Sequence, residues 1–172
     1  MAPVIDLASP VKSVARRVGV RREDVAALRM RCERNVLATA SRPRVVSTGR
    51  ILCYHSVGTP RWGVNDVTPE QFRVHVETAH RLGYRFVEAA TIAAGNGEQY
   101  DLAVTFDDGL LSVMEEAAPI LAEHGIPWSV FVVTDWADGR HDFGDGVVLG
   151  WKELERLAEQ GVEIGSHSRS HP

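Results

Sequence analysis

The stretch that decides the fold is Leu102-Ala103-Val104-Thr105-Phe106-Asp107-Asp108-Gly109. Its first five residues are an apolar run rich in β-formers, of the length of a buried strand. Two acids and a glycine then end it. Working outward, Trp128–Val133 is a second continuous apolar run, Ile51–Tyr54 a third, and Arg85–Val87 and Val162–Ile164 are shorter ones. Between them lie segments with helical spacing. One runs from Pro69 to Leu82 and ends at Gly83. Another runs from Leu111 to His124 and closes at Gly125, with a kink or late restart expected at Pro119. A third runs from Trp151 to Gln160 and stops at Gly161, while Asp135–Gly150 reads as a Gly/Asp-rich loop. Strands joined by helical crossovers form a parallel sheet covered by helices, the α/β class. Chemistry in such folds gathers at the carboxyl ends of the strands. That rule brings His55, the Asp107-Asp108 pair and His167 forward.

A chain of 172 residues, 44% apolar and 24% charged, holds enough core for one globular domain and does not fit disordered, collagen-like or coiled-coil classes. The net charge of −4 is unevenly spread. Residues 1–50 carry eleven Lys and Arg against four Asp and Glu, or +7; residues 51–172 carry eight against nineteen, or −11. A boundary near residue 50 is the simplest explanation. Before it, residues 11–40 read as a basic helical extension with Val14, Val18, Val25, Leu28 and Leu37 spaced for one apolar stripe. Cys32 and Cys53 make neither a disulfide framework nor a paired metal spacing. No apolar run of signal-peptide or membrane-spanning length follows the basic residues, so a cytoplasmic location is expected.

Two adjacent carboxylates at one strand end are costly unless a cation or a proton compensates them. Taken alone, Thr105-Phe106-Asp107-Asp108-Gly109 still reads first as a polar turn, because Asp and Gly are turn residues. The second element is Gly165-Ser166-His167-Ser168-Arg169-Ser170-His171-Pro172. His167 and His171 at i and i+4 are expected on one face of a helical turn, within reach of a single cation, with Pro172 ending that turn. Seven histidines make one such pair a plausible accident. The two elements together are more specific. Each follows a core strand, and two imidazoles with one carboxylate leave coordination positions open for water and substrate.

At this point the chain resembles the NodB-type polysaccharide deacetylases. Thr105-Phe106-Asp107-Asp108-Gly109 is similar to the first motif of that family, and His167-Ser168-Arg169-Ser170-His171 to its second, H-[ST]-x-x-H. Ile51-Leu52-Cys53-Tyr54-His55-Ser56-Val57 is similar to the Tyr-His strand that opens many members. The resemblance covers 51–172 and implies a partial (β/α) barrel in which Asp107 is the general base. It implies that Asp108, His167 and His171 hold a divalent metal, zinc first, with cobalt, nickel or manganese as alternatives. The implied substrate is an acetylated carbohydrate that loses N- or O-acetyl groups, with His55 lining the cleft or, equally, a buried strand-end histidine bonded to backbone. The family also uses an arginine-proline motif, an aspartate-tryptophan motif and a late histidine. These would lie beyond Pro172, so residues 51–172 are expected to be the N-terminal part of such a domain, poorly stable and inactive alone.

Other classes remain open. Ala15, Gly19 and Val25 resemble a helix-turn-helix spacing, with Arg21, Arg22 and Arg29 facing phosphates. Against it, so short a region has too few helices for a core of its own, and nucleic acid is not expected as a partner. The same basic face would suit peripheral contact with anionic lipid. A related metal hydrolase acting on a non-carbohydrate amide would carry the same four residues, and a non-catalytic remnant is the third alternative.

Overall fold

In a computed structural model, the described residues are 48–172 together with four helical positions, Leu28, Arg29, Cys32 and Val36. The chain divides into two compact units, Met1–Arg44 and Val45–Pro172. The helix expected over 11–40 and the helix-turn-helix spacing otherwise lie outside the described residues. Leu28, placed on an apolar stripe by its spacing, is 64% exposed.

The second unit begins with β1 (Arg50–Tyr54), then β2 (Ser56–Val57), a 3-10 segment Pro60–Asn65 and β3 (Asp66–Val67). Helix α1 (Pro69–Arg81) follows, started by a capping box in which Thr68 and Gln71 exchange side-chain and backbone hydrogen bonds, with Pro69 in the first turn. Next come β4 (Arg85–Phe86), α2 (Ala89–Ala93) and β5 (Asp101–Phe106). The restart expected at Pro119 takes a definite form. Val113–Ala117 is a π turn, and α3 (Ala118–Glu123) resumes after it. Proline lacks the N–H that would bond four residues back, and widening the turn accommodates its ring. The remaining elements are β6 (Trp128–Val132), α4 (Thr134–Ala137), α5 (Trp151–Glu159) and β7 (Glu163–Ser166).

The main sheet is parallel throughout and runs β1-β5-β6-β7. Leu102 pairs with Arg50 of β1 and with Phe86 of β4, so β4 and β6 share the opposite edge of β5. All six residues of β5 are buried, as expected of a strand covered on both faces. The α/β class with parallel strands therefore holds. The expected partial barrel reduces here to an open sheet: its path has two ends, and a filled closed barrel needs about eight strands.

Phe106, fully buried, is the centre of the core. Its ring lies 5.8 Å from Tyr54, 5.7 Å from Phe72 of α1 and 5.5 Å from Trp128 of β6. Gly165 sets the spacing of β6 and β7, since a Cβ there would come within 2.4 Å of the Phe131 ring. The parallel arrangement puts Tyr54, Phe106, Val132 and Ser166 at one edge of the sheet, so the residues after them share one end of the fold.

Phe106→Ala should lower unfolding free energy by about 3–5 kcal/mol, the range for truncating a buried phenylalanine. Urea denaturation should show a lower midpoint at unchanged slope. A loss under about 1 kcal/mol would mean that Phe106 is not the core's centre.

Candidate metal centre

Asp107 and Asp108 leave β5 in different directions. The Asp107 N–H donates to Tyr54 O at 2.8 Å and so extends the β1–β5 ladder by one residue. Its side chain is half-buried, with Oδ2 at 3.2 Å from Cys53 Sγ. Asp108 then turns into the left-handed region at φ 72°, followed by Gly109 at φ 63°. Aspartate tolerates that conformation better than most residues, and the glycine takes it without cost. The turn is covered by a returning segment: Leu111 N–H donates to Val147 O at 2.9 Å, and Leu149 N–H to Gly109 O at 2.8 Å. Asp108 is consequently 6% exposed.

The Asp108 Oδ1 atom is buried without a hydrogen-bond partner. It lies 3.4 Å from His171 Nε2 and 3.6 Å from His167 Nε2. Those separations exceed the 2.7–3.2 Å of a good N–H···O bond. They match a pair of donors that each sit about 2.1 Å from a tetrahedral ion, which are about 3.4 Å apart. Among the described residues, Asp108, His167 and His171 form one group whose ligand atoms all lie within 4.8 Å of one another. A carboxylate oxygen and two imidazole nitrogens suit zinc or another borderline divalent cation, so the residues present fit such an ion.

The histidines arrive by a route that differs from the expected helical turn. His167 follows β7 directly and donates its N–H to Val132 O at 2.8 Å. Ser168 and His171 then adopt positive φ, 70° and 53°, so the segment is a looped bend. The physical reason is its docking on α4. Thr134 N–H donates to Ser168 O at 3.3 Å and Asp135 N–H to Arg169 O at 2.9 Å, which uses backbone carbonyls that a helix would keep for itself. The His171 N–H donates to Ser168 Oγ at 3.0 Å. The two imidazoles still meet, with ring centroids 5.6 Å apart.

Two supporting residues, Asp135 and Trp136, are given no role from the sequence, because they precede the second motif and most of α4 lies in the stretch read as loop. Asp135 accepts from Arg169 Nε at 3.3 Å and pairs with Arg140 Nη2 at 3.0 Å. The Trp136 ring lies 5.1 Å from that of His171 and 4.8 Å from Phe143. The available signal was their position just after β6, at the sheet edge that also carries Asp107. Tyr54, next to the site on β1, has its hydroxyl pushed up to about 12 by burial and sits 3.0 Å from His75 Nδ1. His55 is half-buried between β1 and β2, and among the described residues its side chain makes no hydrogen bond.

Comparison with known proteins places this geometry in context. Residues 94–172 match the model of the polysaccharide deacetylase family. YxkH of Bacillus subtilis, named for the polysaccharide deacetylases, is 24% identical over 126 residues, which cover 70% of this chain and 42% of that protein. Among solved structures, IcaB from Ammonifex degensii is similar with a TM-score of 0.60 and 27% identity, over 71% of this chain and 53% of that one. The Streptococcus pyogenes deacetylase PplD, solved in complex with acetate, gives a TM-score of 0.61 at 22% identity, over 75% and 59%. At that identity the likeness speaks for the fold alone. The chain spans about half the length of these relatives.

The fit of these three residues to an ion makes a signed prediction about stability. Zinc at about 100 times its dissociation constant should stabilise the wild type by about 2.7 kcal/mol and leave Asp108→Asn unmoved. In metal-free buffer the order should reverse or level, because asparagine tolerates φ 72° and removes a buried charge that has no partner. The zinc effect should shrink in acid, since binding releases protons from its ligands. Thermal melts with and without chelator decide it. Equal zinc stabilisation of both proteins would place the ion elsewhere.

Proposed function

We propose that residues 94–172, which match the polysaccharide deacetylase family model, are part of a NodB-type deacetylase domain, and that the protein is a metal-dependent hydrolase removing acetyl groups from a carbohydrate. The observation that carries the reading is the buried, unpartnered Asp108 Oδ1 facing two imidazole nitrogens. All three residues lie within the segment that matches the family, in the two stretches that resemble its motifs.

Asp108, His167 and His171 would hold the divalent ion, zinc by its preference for nitrogen and oxygen donors in this number. Such an ion, when bound, polarises a carbonyl and makes water more acidic. The other steps fall to side chains. Asp107 is the general base: it takes a proton from water while the water oxygen adds to the acetyl carbon and the carbonyl π pair moves onto its own oxygen. Its half-buried carboxylate leaves the same strand end as Asp108, bonds to Cys53, and is itself no member of the triad. Two acids that are neighbours in sequence thus divide the work, because the left-handed turn at Asp108 sends the second side chain to the histidines. Trp136 packs beside the His171 ring and limits its rotation. His55, at the same sheet edge, is assigned to the substrate cleft.

The division of roles has a direct test in the full-length protein, supplied with zinc and oligomers of N-acetylglucosamine. Asp107→Asn should retain metal and lose turnover by about 100-fold or more, as removal of a general base does. Asp108→Asn should lose metal and turnover together. Acetate release and metal content, measured on the same samples, separate the two. Loss of metal in Asp107→Asn with retention in Asp108→Asn would reverse the assignment. Failure of the wild type to release acetate from any acetylated glycan would remove carbohydrate from the proposal.

A further inference from the structure

The candidate base is held from one side by a residue that belongs to neither motif. Cys53, on β1, is opposite Thr105 in the parallel register, one residue short of the strand end. Its Sγ has two acceptors in range: Asp107 Oδ2 at 3.2 Å and Tyr54 O at 3.8 Å. A thiol has one proton to give. The carbonyl is the more distant acceptor and already receives the Asp107 N–H at 2.8 Å. A carboxylate is the stronger acceptor by charge, so the proton goes to Asp107.

On the reading of Asp107 as the base, we propose that Cys53 is a positioning residue whose S–H donates to Asp107 Oδ2 and leaves Oδ1 as the oxygen that takes the proton from water. The terminal torsion of an aspartate is soft, and a backbone hydrogen bond alone does not fix it. Here β1 holds both ends of the residue, the main chain through Tyr54 and the carboxylate through Cys53. Cys53 is an exposed residue, but partial desolvation of its thiol, and then its bond to Asp107, push it up to about 11 against an opposing hydrogen bond from Thr105. At neutral pH it therefore remains a donor, whereas a cysteine without such neighbours is partly ionised above pH 8.

The test uses substitution at Cys53 and, separately, its chemical reactivity. Cys53→Ala should lower kcat about tenfold at unchanged KM and unchanged zinc affinity, the size expected for one lost hydrogen bond to a reacting group. Cys53→Ser, which restores a donor, should recover kcat to within about threefold of wild type. A residue that merely filled space would not discriminate between these replacements in kcat alone. The second arm needs no turnover. Alkylation of Cys53 by iodoacetamide at pH 8, followed by mass spectrometry, should be about tenfold faster in Asp107→Asn, because the neighbouring negative charge is gone. An unchanged alkylation rate would overturn the contact. Faster alkylation with wild-type kcat in Cys53→Ala would overturn the positioning role. Absence of turnover in the wild type would strike the deacetylase reading, with the thiol–carboxylate contact still decided by alkylation.

Discussion

A buried carboxylate oxygen without a donor is the constraint on which the site depends. Leaving such an atom unmatched costs about 1–3 kcal/mol, and more when it is charged. Asp108 Oδ1 is in that position, and the chain directs two imidazole nitrogens at it from a separate strand. A cation between the three groups would satisfy the carboxylate, and the open spacing of the donors suits one. The left-handed backbone at Asp108, the glycine after it and the covering segment around Val147 and Leu149 all serve to bury that one atom while keeping its lone pairs directed at the histidines.

The sheet makes the meeting possible. Asp108 and His171 are far apart in sequence but follow β5 and β7, which are separated by a single strand in an all-parallel sheet. Parallel pairing sends both strand ends to the same edge, and β6 between them supplies Val132 O to anchor His167. Phe106 ties this edge to the core immediately beneath it. The precision of the site therefore rests on Phe106 and on Gly165, which lets β7 lie against the Phe131 ring.

Much of this is legible in the sequence, for identifiable reasons. β5 is dominated by Leu102, Ala103, Val104 and Phe106, so its end at Asp107 is unambiguous, and the strand-helix alternation implies parallel pairing without any tertiary information. The helix-like spacing of His167 and His171 was correct in bringing them together and wrong about how. The bend is formed by hydrogen bonds from Thr134 and Asp135, residues more than thirty positions earlier, which no local pattern encodes. Helix α4 is too short to show periodicity and lay hidden in a Gly/Asp-rich stretch. Cys53 was invisible for another reason: its contact with Asp107 exists only through the register of β1 on β5, and sequence spacing carries no register between distant strands. His55 was visible as a strand-end residue, but its neighbours are set by the β2–β3 excursion that the sequence reading did not resolve into strands.

The central claim is that Asp108, His167 and His171 share one ion while Asp107 stays outside its coordination. An anomalous difference map at the zinc edge, from crystals grown with zinc, tests it in one measurement. The account predicts a single strong peak with Asp108 Oδ1, His167 Nε2 and His171 Nε2 at about 2.0–2.2 Å, and Asp107 beyond bonding distance. A peak bonded to Asp107 in place of Asp108, or zinc bound elsewhere with these three side chains unliganded, would contradict it.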